Sequence, residues 1–199
     1  MEADLPRDYD IVVYGATGFT GALVAEYLQT HHSAIRWAIA GRSLSKLKSV
    51  REQLGNAELP MIEADSGSAA DMARLAGTAR VIISTVGPYA QHGTKLLEAC
   101  AAEGTHYCDL TGEPQWMAAV FEKVSDMAEE SGARLVHCCG FDSIPSDLGV
   151  FVAQKIMHER HGVYATHVSG RMGPSKGAVS GGTVASMLLA MEQGVNDPI

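Results

Sequence analysis

Seven consecutive residues, Gly15-Ala16-Thr17-Gly18-Phe19-Thr20-Gly21, carry the clearest chemical signal in this chain. They sit between a β-branched run, Tyr9 to Tyr14, and a stretch with helical spacing, Gly21 to Thr30. Glycines at such a junction do three things. One permits a tight turn, one lets backbone N–H groups approach a pyrophosphate, and one lets the helix pack close to the sheet. The helix amino terminus adds free N–H donors and a partial positive charge. The chemistry is dinucleotide binding, and the strand–turn–helix context makes it specific although the spacing is G-x-x-G-x-x-G. Gly87 to Lys95 lacks the Gly-Lys-Ser/Thr order of a nucleoside triphosphate loop, which disfavours an ATPase.

The end of the second strand discriminates between nicotinamide cofactors. An Asp or Glu there accepts from a ribose 2′-hydroxyl, whereas Arg accommodates a 2′-phosphate. No acidic residue occurs between Glu26 and Glu52, and Ala40-Gly41-Arg42-Ser43 puts Arg42 at that place, with Ser43 and Lys46 close behind. NADP(H) is therefore expected over NAD(H). Asp65, closing the third strand, faces either the adenine or the amino end of the next helix. Val86, Gly87, Pro88 and Tyr89 end the fourth strand at the carboxyl edge of the sheet, where the cofactor of a doubly wound fold lies. Tyr89 and Tyr107 are candidate proton donors there, and Asp109 and Glu113 candidate carboxyl partners. Helix capping is the competing role for Asp109, Thr111 and Glu113.

The elements that must hold these residues alternate. Strands are expected at 9–14, 35–40, 60–64, 80–86, 106–110 and 134–138. Helices are expected at 21–30, 45–54, 69–75, 94–102, 114–130 and 147–159. Leu23, Val24, Tyr27 and Leu28 are expected on the buried side of the first helix. Trp116, Val120, Phe121, Val124 and Ala128 are expected on that of the long one. This is the α/β plan of a doubly wound parallel sheet, a Rossmann fold, over residues 1–162. Residues 163–199 are expected to open a truncated second α+β domain, with a strand at 163–169 and a helix at 183–193. So short a segment does not bury a core of its own.

Apolar residues make up 46% and charged residues 19% of the 199, an ordinary globular balance. The net charge of −8 supplies no broad basic face for nucleic acid. The acidic amino terminus lacks a secretion signal, and Ala178 to Met191 is too interrupted to span a membrane. Cys100, Cys108, Cys138 and Cys139 form no C-x-x-C pair and read as buried, reduced thiols of a cytoplasmic protein. No metal-ligand set occurs; His158 and His161 read as a charged helix end. No tyrosine is followed four residues later by lysine, so the Tyr-x-x-x-Lys pair of short-chain dehydrogenases is missing.

Five segments occur in order: Gly15 to Gly21, Ala40-Gly41-Arg42, Val86-Gly87-Pro88-Tyr89, His106 to Glu113 (H-Y-C-D-L-T-G-E) and Gly140 to Gly149 (G-F-D-S-I-P-S-D-L-G). Together they resemble the saccharopine dehydrogenase-like oxidoreductases, in particular the trans-acting enoyl reductase branch, from Tyr9 to about Ala190. The resemblance implies a protein roughly twice this length, homodimeric in that form. It also implies reduction of a carbon–carbon double bond on a lipid or polyketide intermediate of glycolipid assembly, with peripheral association at the plasma membrane. Thr17 stands where lysine-pathway members place a second glycine, which points away from saccharopine as substrate. Two further readings stay open: an NmrA-like sensor that binds NADP(H) without turnover, and a subunit that docks on a lipid-synthesising complex. If Arg42 reads the 2′-phosphate, Arg42→Ala should weaken NADPH binding about tenfold or more and leave NADH binding unchanged. Fluorescence titration with both cofactors measures this; equal loss for the two overturns the assignment.

Overall fold

The computed structural model describes residues 7–32, 34–174 and 181–196. Six strands, β1 (Tyr9–Tyr14), β2 (Trp37–Gly41), β3 (Met61–Glu63), β4 (Ala79–Ser84), β5 (His106–Asp109) and β6 (Leu135–Val136), form one sheet in the order β3-β2-β1-β4-β5-β6. Every pairing is parallel. The helices are α1 (Phe19–His31), α2 (Leu44–Gln53), α3 (Ala69–Thr78), α4 (Tyr89–His92), α5 (Thr94–Glu103), α6 (Pro114–Ser131), α7 (Ile144–His161) and α8 (Gly181–Asn196). The fold class expected from the sequence is the one observed.

Parallel strands are covered on both faces, so alternate side chains of one strand enter different cores. Val12 of β1 and Ala38 and Ala40 of β2 meet Met72, Leu75, Leu96 and Leu97 on one face. Val13 and Ile39 meet Ala25, Leu28, Leu47 and Val50 on the other. The result is a three-layer domain, with α1 and α2 below the sheet and α3, α5 and α6 above it.

The glycine loop sets the rotation of α1. A Cβ on Gly21 would lie 2.2 Å from the Gly15 carbonyl oxygen, so the helix backbone itself abuts the loop. With Gly21 turned inward, Ala25 and Leu28 follow at helical spacing, and these three are the buried residues of α1. Leu23 and Tyr27, expected on the buried side, are exposed. Phe121 also faces water, 69% exposed, because Trp116, Val120 and Val124 hold the contact stripe of α6.

Other departures have local causes. Ile35 and Arg36 precede β2, although the Arg36 carbonyl already accepts from the Asp10 N–H at 2.7 Å; the Arg36 side chain pairs with the Asp10 carboxylate and keeps it below its usual range. Residues 163–169 form no strand. The Gln154 side chain donates to the Ala165 carbonyl and accepts from the Ala165 N–H, both at 2.8 Å, taking up groups a ladder would need. Residues 175–180 of the glycine-rich stretch lie outside the described residues. Helix α7 buries none of its residues. Cys100 is buried, but Cys139 is exposed because it falls on the loop leaving β6. Gly21→Ala should cost about 1–3 kcal/mol, the range for forcing atoms into a packed site. Urea unfolding measures it, and an unchanged midpoint would show that the α1–loop contact yields freely.

Candidate cofactor and active site

The strand order reverses between β1 and β4, which stay paired through Tyr14 and Ser84, so the connections leaving their carboxyl ends part and open a crevice. A cavity of about 990 Å³ opens there. Gly15, Thr17, Gly18, Phe19 and Thr20 form its floor, and Arg42 stands at its β2 end. Val86, Gly87 and Tyr89 line the β4 side; Leu110, Gly112, Glu113 and Trp116 continue the wall from β5 and α6. Gly181, Thr183, Ser186 and Met187 of α8 complete it.

The loop fits a dinucleotide. Gly15 has φ +92°, and a Cβ there would lie 2.6 Å from Thr85 Oγ1. Only glycine sits comfortably in that turn. Gly18 caps α1 with no side chain on the helix amino end, and an added Cβ would meet nothing closer than 3.4 Å. Free backbone space at a helix amino terminus is what a pyrophosphate needs. Ala16 is fully buried beneath the loop. Pro88 caps the short helix α4 that follows the β4 wall.

Of the three residues expected at the end of β2, Arg42 lines the cavity and Ser43 and Lys46 are not among its lining residues. Arg42 is exposed at the cavity edge, and Ser43 caps α2 with its hydroxyl 3.1 Å from that of Ser45. Lys46 is exposed on the first turn of α2. Glu63 Oε1 accepts from the Leu44 N–H at 3.4 Å. The Asp65 carboxylate accepts from the Gly67 N–H at 2.9 Å and so shapes the turn that leads into α3.

The four residues expected to move protons all have protein partners. The Tyr89 hydroxyl donates to the Ser84 carbonyl at 3.1 Å and accepts from the Leu110 N–H at 3.4 Å. The buried Tyr107 hydroxyl donates to Asp109 Oδ2 at 3.0 Å. Burial, reinforced by the charge of Asp109, raises both phenols above their ordinary range and makes them weaker acids. Glu113 Oε1 accepts from the Tyr89 N–H at 2.9 Å, and its Oε2 from the Ala90 N–H at 2.8 Å. That carboxylate thereby caps α4 from outside the helix.

Asp109 gathers the most partners. It is 1% exposed. Its Oδ1 accepts from the Thr111 N–H (3.1 Å) and the Cys138 N–H (3.2 Å), and its Oδ2 from Tyr107 and from His137 Nδ1 (2.7 Å). A carboxylate only accepts, so the proton of a neutral His137 lies on Nδ1 and Nε2 is left as the acceptor. The ring also meets Trp116 edge-on, at 5.1 Å between centroids, and Trp116 stacks on Tyr89 at 5.6 Å.

Neither His137 nor Ser186 belongs to a motif legible in the sequence. His137 follows β6 at the same edge as Asp109, so a survey of titratable residues at strand carboxyl ends would have found it. Nothing in the local pattern marks Ser186, whose place comes from the packing of α8.

The sequence pattern of the saccharopine dehydrogenase NADP binding domain matches residues 11–136. The chain belongs to that family. Its cofactor is accordingly NADP(H), in agreement with Arg42 at the end of β2. A Mycobacterium tuberculosis protein that provisionally carries the name trans-acting enoyl reductase is 44% identical over 195 residues, 97% of this chain and 46% of its own length. A Mycobacterium leprae protein with that name unqualified is 43% identical, over 96% of this chain and 47% of its own. The chain thus spans about half the length of the relatives it matches. Saccharopine dehydrogenase (L-Glu forming) from Saccharomyces cerevisiae shares the fold, with a TM-score of 0.59 at 15% identity over 77% of this chain and 32% of that one. Among the described residues no helix is long and apolar enough to cross a membrane, and no group of His, Cys, Asp and Glu is arranged to hold a metal.

Within this family domain the Asp109 cluster gives a graded expectation. Asp109→Ala leaves four donors without their acceptor and should cost about 3 kcal/mol or more. Tyr107→Phe removes one donor of four and should cost about 1 kcal/mol. Urea unfolding of both variants measures the difference; equal losses would show that Asp109 is no hub.

Proposed function

We propose that this chain is the cofactor-binding part of an NADP(H)-dependent enoyl reductase acting on a lipid or polyketide intermediate of glycolipid assembly. The observation that carries the reading is the 43–44% identity, across nearly the whole chain, to proteins bearing the trans-acting enoyl reductase name. In this reading residues 1–162 are the nucleotide domain and 163–199 begin a second one. The longer protein is a cytoplasmic homodimer that associates peripherally with the plasma membrane.

The residues divide the work by place. The Gly15–Gly21 loop and the amino end of α1 hold the pyrophosphate. Arg42, Ser43 and Lys46 hold the 2′-phosphate, with Arg42 contributing a fork of donors. Val86, Gly87 and the backbone of Tyr89 wall the nicotinamide end. When bound, NADPH supplies a hydride for the β-carbon of the substrate double bond. The chain must orient it, exclude water and bring a proton to the α-carbon. Tyr89 and Tyr107 are poor sources of that proton, since each hydroxyl already donates to a protein acceptor. Tyr89, Tyr107, Asp109 and Glu113 serve here as the frame that shapes the wall, and the acid comes from a group outside this set.

The same observation favours a second reading, a non-catalytic NADP(H) sensor, because no tyrosine at the site is free to donate. The longer protein incubated with NADPH and an α,β-unsaturated acyl thioester separates the two. Loss of absorbance at 340 nm, with the saturated thioester as product, is the expected result. NADPH that binds but stays unoxidised with enoyl thioesters overturns the reductase reading in favour of the sensor.

A further inference from the structure

Ser186 donates its hydroxyl to Glu113 Oε1 at 2.8 Å, across 73 residues of sequence. The same carboxylate holds the backbone N–H groups of Tyr89 and Ala90. Ser186 Oγ also lies 3.8 Å from the point where a Gly87 Cβ would be, so α8 meets the β4 wall there. One carboxylate thus joins three things: the start of α4, the loop from β5 and helix α8. Glu113 itself is fixed from below, because its own N–H donates to Thr111 Oγ1 at 3.2 Å and the Thr111 N–H is bound by Asp109.

We infer that Ser186 is a positioning residue for the cofactor: through Glu113 it latches α8 against the Gly87–Ala90 wall and slows the release of NADP(H). This rests on the reading that the cavity holds that cofactor. Helix α8 supplies a whole side of the cavity, yet Val184, Met187, Leu188 and Met191 are exposed, so among its described side chains little apolar burial ties it down. A hydroxyl-to-carboxylate hydrogen bond is among the stronger single polar contacts, and this one is half shielded from water. Glu113 keeps both backbone N–H partners when the serine hydroxyl is lost, so the wall stays formed while α8 loosens from it. The consequence is kinetic and lies on the nicotinamide side. It is therefore independent of the 2′-phosphate.

The test is stopped-flow displacement of bound NADPH by excess NADP⁺, read by NADPH fluorescence, with the same measurement for NADH displaced by NAD⁺. Ser186→Ala is expected to speed release of both cofactors about five- to tenfold. Ser186→Thr, which keeps a hydroxyl, is expected to release within twofold of the parent protein. In a Glu113→Ala background, where the Ser186 hydroxyl has no carboxylate to reach, Ser186→Ala is expected to add little further, as coupled partners do. Release from Ser186→Ala within twofold of the parent overturns the latch, and so does release from Ser186→Thr as fast as from Ser186→Ala. Parent protein that binds neither cofactor overturns the cavity assignment and the latch with it, a result distinct from binding without a Ser186 effect.

Discussion

Asp109 is a carboxylate with almost no contact with water, and the carboxyl edge of the sheet is organised around satisfying it. A buried anion persists only when its lone pairs meet donors. Here the donors come from β5 itself, from the loop that follows it and from the loop after β6. Those bonds bring His137 against Trp116, and Trp116 against Tyr89. The indole of Trp116 donates to Thr94 Oγ1 at 2.9 Å, so α6 is pinned to α5 as well. The wall of the cavity is thus the visible surface of a polar and aromatic stack whose anchor lies behind it.

This arrangement separates two kinds of side chain that look alike in sequence. A tyrosine near a nicotinamide site invites a role as acid, yet a phenol that is buried and beside a negative charge holds its proton more tightly. Glutamate in the first turn region of a helix invites a capping role, and Glu113 does cap. It caps α4 rather than the α6 helix that it precedes, because the carboxylate reaches backbone N–H groups about two dozen residues earlier in the chain. Distance along the chain says little about which donors a carboxylate will find in a doubly wound sheet, where strand ends from remote segments converge.

The fold was largely legible. Six short strand-like runs separated by helical spacings describe a parallel sheet, and the glycine loop marks its first crossover. The buried side of α1 was less so, since hydrophobicity favoured Leu23 and Tyr27 while the close approach of Gly21 to the Gly15 carbonyl turned Ala25 inward instead. Steric contact at one glycine outranked the apolar count of the helix. The short helix α4 had no signal either, because four residues after Gly87-Pro88 give no periodicity to read.

At the candidate site, the sequence by itself determined the parts placed by backbone geometry. The glycine loop at 15 to 21 and the arginine at the end of β2 take their places from local rules of turn geometry and strand length. Those rules need only neighbours in the chain. The tertiary structure alone decided that Tyr107 faces Asp109 and that His137 completes that cluster. It also decided that Ser186 reaches Glu113 from the far end of the chain. These contacts join segments 28 and 73 residues apart, or aim a side chain inward rather than toward the cavity. They depend on burial and on competition among donors, and neither exists until the sheet has closed around them.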